Sequence, residues 1–201
     1  MPEYTLSKSS TGDYKERGSS FHAVAQPASD INDVKSSLFI MKEECPDASH
    51  ICYAYRIKLG QRLDEFSSDA GEPKGSAGKP ILNALKRQNL INAGIFVIRY
   101  YGGVKLGIPG LVHAYGVTAE KAIKNARLKP WMAKNRLLVT YPYTLEGVMK
   151  SILKKNHAEV IYKDFGEKID IQLDIDIELA DSFIDVVKQL SAGSAQIIMA
   201  E

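Results

Sequence analysis

Two short stretches of this chain place glycines beside cations, a combination suited to holding an anion. The first is Ser67-Ser68-Asp69-Ala70-Gly71-Glu72-Pro73-Lys74-Gly75-Ser76-Ala77-Gly78-Lys79-Pro80. The second is Arg99-Tyr100-Tyr101-Gly102-Gly103-Val104-Lys105-Leu106-Gly107. Glycine lets the backbone take left-handed conformations and lets another molecule approach the amides closely. Each stretch leads into a segment of helical periodicity, and a helix N-terminus offers free N–H groups and a favourable dipole to an anion. Lys74, Lys79, Arg99 and Lys105 add full charges. These are the parts of a phosphate or carboxylate site. Nucleic-acid or other anion binding is therefore expected at Lys74, Ser76, Lys79, Arg99 and Lys105. Gly75, Gly78, Gly102, Gly103 and Gly107 are expected to shape the loops. The plainer alternative is that the glycines serve tight turns and the cations are only solvated. Asp69 and Glu72 are expected to pair with Lys74, Lys79 or Arg99 and hold their loop.

Other chemistries lack their residues. A phosphate-binding loop of the nucleotide hydrolases needs Gly, four residues, then Gly-Lys-Ser/Thr. Here Pro73 takes the first glycine's place and Pro80 follows Lys79. Neither stretch contains a G-x-G-x-x-G fingerprint. Strand alternation puts His50 and Cys52 on one face, with Cys45 nearby in sequence, but no C-x-x-C pair or fourth ligand accompanies them. No G-x-S-x-G elbow surrounds Ser68 or Ser76, so no base is assigned to them among His50 and His113. No catalytic residue, cofactor or metal is assigned, and a binding role is preferred to an enzymatic one.

Charge is concentrated in the same region. Net charge is only +2, yet residues 72–136 hold 12 basic and 2 acidic side chains. Residues 1–71 carry net −3 and residues 137–201 net −5. A middle third this positive attracts anionic partners. The 201 residues suffice for two small domains. No run approaches the roughly 18 apolar residues of a membrane span. Met1-Pro2-Glu3-Tyr4 does not open a signal peptide, and two cysteines make no disulfide framework, so a cytoplasmic setting without membrane contact is expected.

The elements that must position the loops can be read from periodicity. Lys15 to Gln26 reads as extended and ends at Pro27. Asp30 can cap a helix with Asp33 three residues on, carrying Ile31, Val34, Leu38 and Met41 inward until Pro46 stops it. His50 to Leu59 reads as a strand, and Arg62 to Lys79 as a long polar loop. Pro80 fits the first position of a helix burying Ile81, Leu82 and Leu85. Ile95 to Tyr101 is a hydrophobic strand. Pro109 opens a helix to about Ala126, with Leu111, Val112, Tyr115, Ala119 and Ile123 inward, and Lys129-Pro130 reads as a linker. This gives domains 1–130 and 131–201.

The second domain reads more simply. Arg136 to Tyr141 is β-rich, and Thr144 can cap a helix carrying Leu145, Val148, Met149, Ile152 and Leu153. Glu159 to Lys163 is a strand. Lys168 to Glu178 alternates, with Ile169, Ile171, Leu173, Ile175 and Ile177 on one face and an acidic set on the other. Phe183, Val186, Val187 and Leu190 stripe a second helix, Gly193 marks its end, and Ala195 to Met199 closes the sheet. The order β-α-β-β-α-β is the ferredoxin-like pattern. Its third strand is central, so its open face is expected to be acidic. RNA-binding sheets display aromatics there, and this face is therefore not expected to bind RNA.

The runs SSDAGEPKGSAGKPILNAL and VIRYYGGVKLGIPGLVHAYGVTAEKAI closely resemble the YigZ/IMPACT family. KERGSSFHAVAQP and PDASHICYAY look like earlier strands of the same family, so the likeness covers roughly residues 15–123. It implies an α+β chain: a first domain built like domain 2 of ribosomal protein S5, then a ferredoxin-like domain similar to the last domain of elongation factor G. It also implies a setting in the regulation of translation, with RNA or the ribosome as the expected partner. A protein of the translation machinery is a further expected partner. The rival expectations are an enzyme acting on a small phosphorylated or carboxylated metabolite and a protein-interaction module. The sequence departs from the family pattern at Ala70, where a second Asp is usual, and at Ser76, where Thr is usual. It departs again at His113, where Arg is usual, which removes a standing positive charge at neutral pH.

Overall fold

Successive residues of a β-strand face opposite sides, so a strand apolar at every position must be covered on both faces. Ala93–Tyr100 is such a strand, buried from Ala93 through Arg99. The structure, a computed structural model, describes residues 2–59 and 62–200. Met1, Gly60, Gln61 and Glu201 lie outside that description, as does the sequence reading that begins at Met1. The chain divides into two units, Met1–Trp131 and Met132–Glu201.

The first unit runs β1 (Tyr4–Leu6), β2 (Ser10–Glu16), β3 (Ser19–Pro27), α1 (Ile31–Glu44), β4 (His50–Leu59) and β5 (Arg62–Ser68). It continues α2 (Gly78–Arg87), β6 (Ala93–Tyr100), α3 (Gly107–Lys124) and β7 (Leu128–Pro130). Five strands form an antiparallel sheet in the order β2-β3-β6-β4-β5, with β6 central. On one face Phe21, Ala23, Cys52, Ala54, Ile95 and Val97 pack against Ile81 and Leu85 of α2 and Leu111, Tyr115 and Ala119 of α3. On the other, Ile51, Ile57, Phe96 and Ile98 pack under Val34 and Met41 of α1. Asp30 caps α1 in a reciprocal capping box with Asp33, as the spacing predicts.

Several elements differ from the sequence reading. Residues 62–68 form β5 rather than a loop. An edge strand profits from charged side chains that discourage further pairing, which explains its polar sequence. The extended stretch from Lys15 belongs to two strands, and the chain reverses at Arg17 (φ 46) and Gly18 (φ 81). Two successive positive φ values make the turn whose twist suits a hairpin. Lys129-Pro130 is not a linker but part of β7, paired with β1. Pro80 and Pro109 fall at third helical positions, since α2 starts at Gly78 and α3 at Gly107. Both remain in the first turn, where a missing N–H loses no intrahelical bond. Val112 is 40% exposed, and Ala114, Thr118 and Ala122 take buried places on α3 instead.

The second unit runs β8 (Lys134–Tyr141), a 3-10 turn at Tyr143–Leu145, α4 (Glu146–Lys155), β9 (Glu159–Phe165), β10 (Ile169–Asp176), α5 (Ile177–Leu190) and β11 (Gln196–Met199). Its sheet is antiparallel in the order β11-β8-β10-β9, so β10 is internal. Ile169, Ile171, Leu173 and Ile175 pack against Met149 and Ile152 of α4 and Phe183 and Val187 of α5. Ile177 leaves the alternation because α5 begins there, and it is exposed. Thr144 lies inside the 3-10 turn and does not cap α4. Past α5, the N–H groups of Ala192 and Gly193 donate to Gln189 and Lys188, the paired bonds of a Schellman end.

On the open face β10 carries Asp170, Gln172, Asp174 and Asp176, as expected, and its neighbours make the face of the whole sheet mixed. Arg136 donates two bonds to Asp174 (2.7 and 2.9 Å), and Thr140 bonds Asp170. Ile198, Leu138, Gln172 and Tyr162 align across all four strands, and their apolar members are exposed.

Glu146 ties this unit together. It accepts from Lys163 (2.8 Å), Tyr141 (2.8 Å) and Lys150 (3.1 Å), and the Lys163 bond is the main reason its carboxyl falls to about 2. The folded state then holds fewer protons than the unfolded chain as pH drops from the ordinary glutamate range toward 2. Stability is present above that range and lost on acidification. Glu146→Gln should flatten the acid limb of this unit's unfolding, followed by circular dichroism between pH 2 and pH 7. An unchanged acid limb would remove Glu146 from that role.

Candidate functional site

Strand parity sets the base of the site. Phe21 of β3, Arg99 of β6 and His50 of β4 stand in register across three neighbouring strands. All three lie on the sheet face that α2 and α3 cover, at the end where both glycine-rich loops meet. Arg99 continues the apolar row of Ile95 and Val97, and its side chain is only 7% exposed. A guanidinium at such a position needs a counter-charge.

Glu72 provides it. Arg99 Nη1 donates to Glu72 Oε1 at 2.5 Å, and the hydroxyl of Tyr115 on α3 donates to the same oxygen at 2.8 Å. The Glu72 side chain is only 4% exposed. The Arg99 guanidinium stands 5.5 Å from the ring centres of both Phe21 and Tyr101. Nη1 is therefore used, whereas Arg99 Nε is buried and has no hydrogen-bond partner among the described residues.

Asp69 organises the first loop from within. Its Oδ1 accepts from the amides of Ala77 (3.0 Å) and Gly78 (2.8 Å), and its Oδ2 from Gly75 (2.7 Å). Burial works to raise its pKa, but the three amide bonds outweigh it and hold the carboxyl below the usual aspartate range. The anion at the start of α2 is thus the protein's own. Ser76 is fully buried and donates to the Pro73 carbonyl (2.7 Å). Cys52 donates to the Asp69 carbonyl (3.0 Å), and His50 Nδ1 donates to that of Ala70 (2.8 Å).

Two glycines are required by close approach. A Cβ on Gly78 would stand 2.8 Å from the Ser68 backbone, and one on Gly102 would stand 1.9 Å from that of Gly18. These contacts lock the first loop onto the end of β5 and the second onto the β2–β3 hairpin. Ala70 holds a left-handed φ of 46°, a conformation that Asp tolerates better than Ala.

Between the loops lies a cavity of about 490 Å³. His50, Glu72, Arg99, Tyr101, Lys105 and Gly107 line it, with an apolar wall from Pro73, Leu106, Ile108 and Leu111. Of the five residues expected to bind an anion, Arg99 and Lys105 reach this cavity. Lys74 and Lys79 are exposed but do not line it, and Ser76 is enclosed within its loop. Gly107 lines it as well, at the start of α3. His113 is exposed on α3, with its ring against Tyr14.

In the sequence Tyr115 falls on the apolar stripe of its helix. A tyrosine on a buried stripe needs a partner for its hydroxyl, and that was the available signal. Burial pushes the Cys52 thiol up to about 12 and the Tyr115 phenol well above its usual range. Burial thus works against ionising either side chain. Among the described residues no group of three or more His, Cys, Asp or Glu side chains is placed to hold a metal ion. Among the described residues no helix is long and apolar enough to cross a membrane.

Comparison with known proteins agrees with these motifs. The Impact N-terminal domain matches residues 17–123, and a domain of unknown function, DUF1949, matches residues 139–194. The chain is 30% identical to an IMPACT family member of Haemophilus influenzae, over 100% of this chain and 98% of that one. It is 36% identical to an IMPACT family member of Thermus thermophilus, described as lying in the pol 5' region, over 77% of this chain and 84% of that one. A crystal structure of a hypothetical protein superposes with a TM-score of 0.73 at 25% identity, covering 100% of this chain and 98% of the other. With its loop motifs and both domains matched along the chain, this protein belongs to the IMPACT family.

Proposed function

We propose that this protein binds RNA or the ribosome in the cytoplasm and acts in the regulation of translation, through the exposed lysines of its two glycine-rich loops. One observation carries the reading. The carboxylates of these loops are turned inward, Asp69 onto its own amides and Glu72 onto Arg99, while Lys74, Lys79 and Lys105 remain exposed. The loops therefore present positive charge to solvent with their own negative charge already used. Phosphates are natural partners for such a surface. The strand orders are consistent with a first unit built like domain 2 of ribosomal protein S5 and a ferredoxin-like second unit. Family membership supplies the translational setting, in which a protein of the translation machinery would be a further partner.

Co-sedimentation with ribosomes across a salt series tests this reading. The comparison is a Lys74→Glu/Lys79→Glu variant, because neither lysine lines the cavity. The parent should pellet at low salt and be released as salt rises, and each phosphate contact removed should lower the logarithmic salt slope by about one. If neither protein pellets at low salt, or both pellet equally, the lysine surface is not a ribosome or RNA site.

A further inference from the structure

The cavity between the loops holds features that the lysine surface does not use. Arg99 lines it with a side chain only 7% exposed, and its Nε has no hydrogen-bond partner among the described residues. That Nε is closed off from solvent, so a ligand in the cavity meets the guanidinium through its charge rather than through a bond to Nε. The start of α3 adds a set of donors. Its N-cap, Leu106, supplies no side-chain bond, whereas Asp30 caps α1 and Asp69 serves the start of α2. Gly107 and Ile108, the first two residues of this 18-residue helix, line the cavity. Lys105 completes the polar side.

Charge selects among anions. The full charges lining the cavity are Arg99, Lys105 and Glu72, leaving one net positive charge, to which the helix dipole adds about half a charge. That balance suits a single negative charge better than a phosphate monoester, which carries about −1.5 to −2 at neutral pH. Pro73, Leu106, Ile108 and Leu111 supply the apolar part of the lining. A volume of about 490 Å³ falls in the range of small-molecule sites. We propose that this cavity is a binding site for a small organic monocarboxylate, its carboxylate held by Arg99, Lys105 and the first amides of α3 and its apolar part against Leu106, Ile108 and Leu111. This goes beyond the lysine surface, with which the cavity shares Lys105 but neither Arg99 nor the start of α3.

Titration of the full-length protein with hexanoate and benzoate, followed by ¹H–¹⁵N spectra at constant ionic strength, tests the site. The amides of Gly107 and Ile108 and the Nε–H of Arg99 should shift together and saturably. Benzamide, which keeps the shape and loses the charge, should leave them in place. Lys105→Gln, a change at an exposed side chain, should weaken hexanoate by up to about fivefold without changing the fold. The proposal fails if these three groups do not saturate with either carboxylate or respond equally to benzamide. It fails equally if Lys105→Gln binds as the parent does. Saturation by inorganic phosphate in preference to both carboxylates would overturn the monocarboxylate assignment.

Discussion

Arg99→Met should destabilise the first unit by about 3–5 kcal/mol, because it leaves the Glu72 carboxylate buried without its counter-charge. Glu72→Leu should cost a similar amount by stranding the guanidinium, whose Nε already lacks a partner. Tyr115 loses its acceptor in that variant too, so its hydroxyl is left buried and unbonded. The double variant Arg99→Met/Glu72→Leu should be more stable than the sum of its parts allows, since apolar side chains can replace a buried ion pair at little net loss. Urea unfolding followed by Trp131 fluorescence measures this, because the one tryptophan belongs to the first unit. Additive effects would mean that the pair, although 2.5 Å apart, contributes no coupling.

The regular parts of this fold were legible because their residues repeat. The stripe on α1, the apolar run of β6 and the alternation in β10 as far as Ile175 each read correctly from period alone. β5 was hidden because its exposed edge favours charge over hydrophobicity, so a strand looked like a loop. β7 was hidden because three residues carry no period, and its pairing with β1 reaches across more than 120 residues.

The candidate site divides in the same way. Glycines beside cations marked the two loops, and an acidic partner for Arg99 was expected among Asp69 and Glu72. Which of the two turns to Arg99 depends on register across β3, β6 and β4 and on the course of the first loop. No local pattern encodes that choice. Ser76 looked like a ligand-binding hydroxyl but closes its own loop. Tyr115 looked like packing, and it completes the ion pair.

The second large effect is expected at Asp69, where one carboxylate satisfies three amides of the loop. Asn is nearly the same size, so Asp69→Asn isolates the chemistry. Its single carbonyl oxygen could still accept from Ala77 and Gly78, but its NH2 would then face the Gly75 amide, donor against donor. Losing one charge-assisted bond and stranding an N–H should cost about 2–4 kcal/mol at neutral pH. The pH dependence identifies the cause. Asp69 ionises below the ordinary aspartate range when folded, so the unfolded chain binds more protons as pH falls. Its contribution is complete above the unfolded value of about 3.9 and is lost as pH falls through the lower folded value. The stability gap between parent and Asp69→Asn should therefore be widest near neutrality and narrow steadily below about pH 4. A gap that stays constant down to pH 2 would show that side-chain shape, rather than carboxylate charge, holds the loop. The lysines and cavity of this loop depend on its geometry, so hexanoate and ribosome binding should weaken together in this variant.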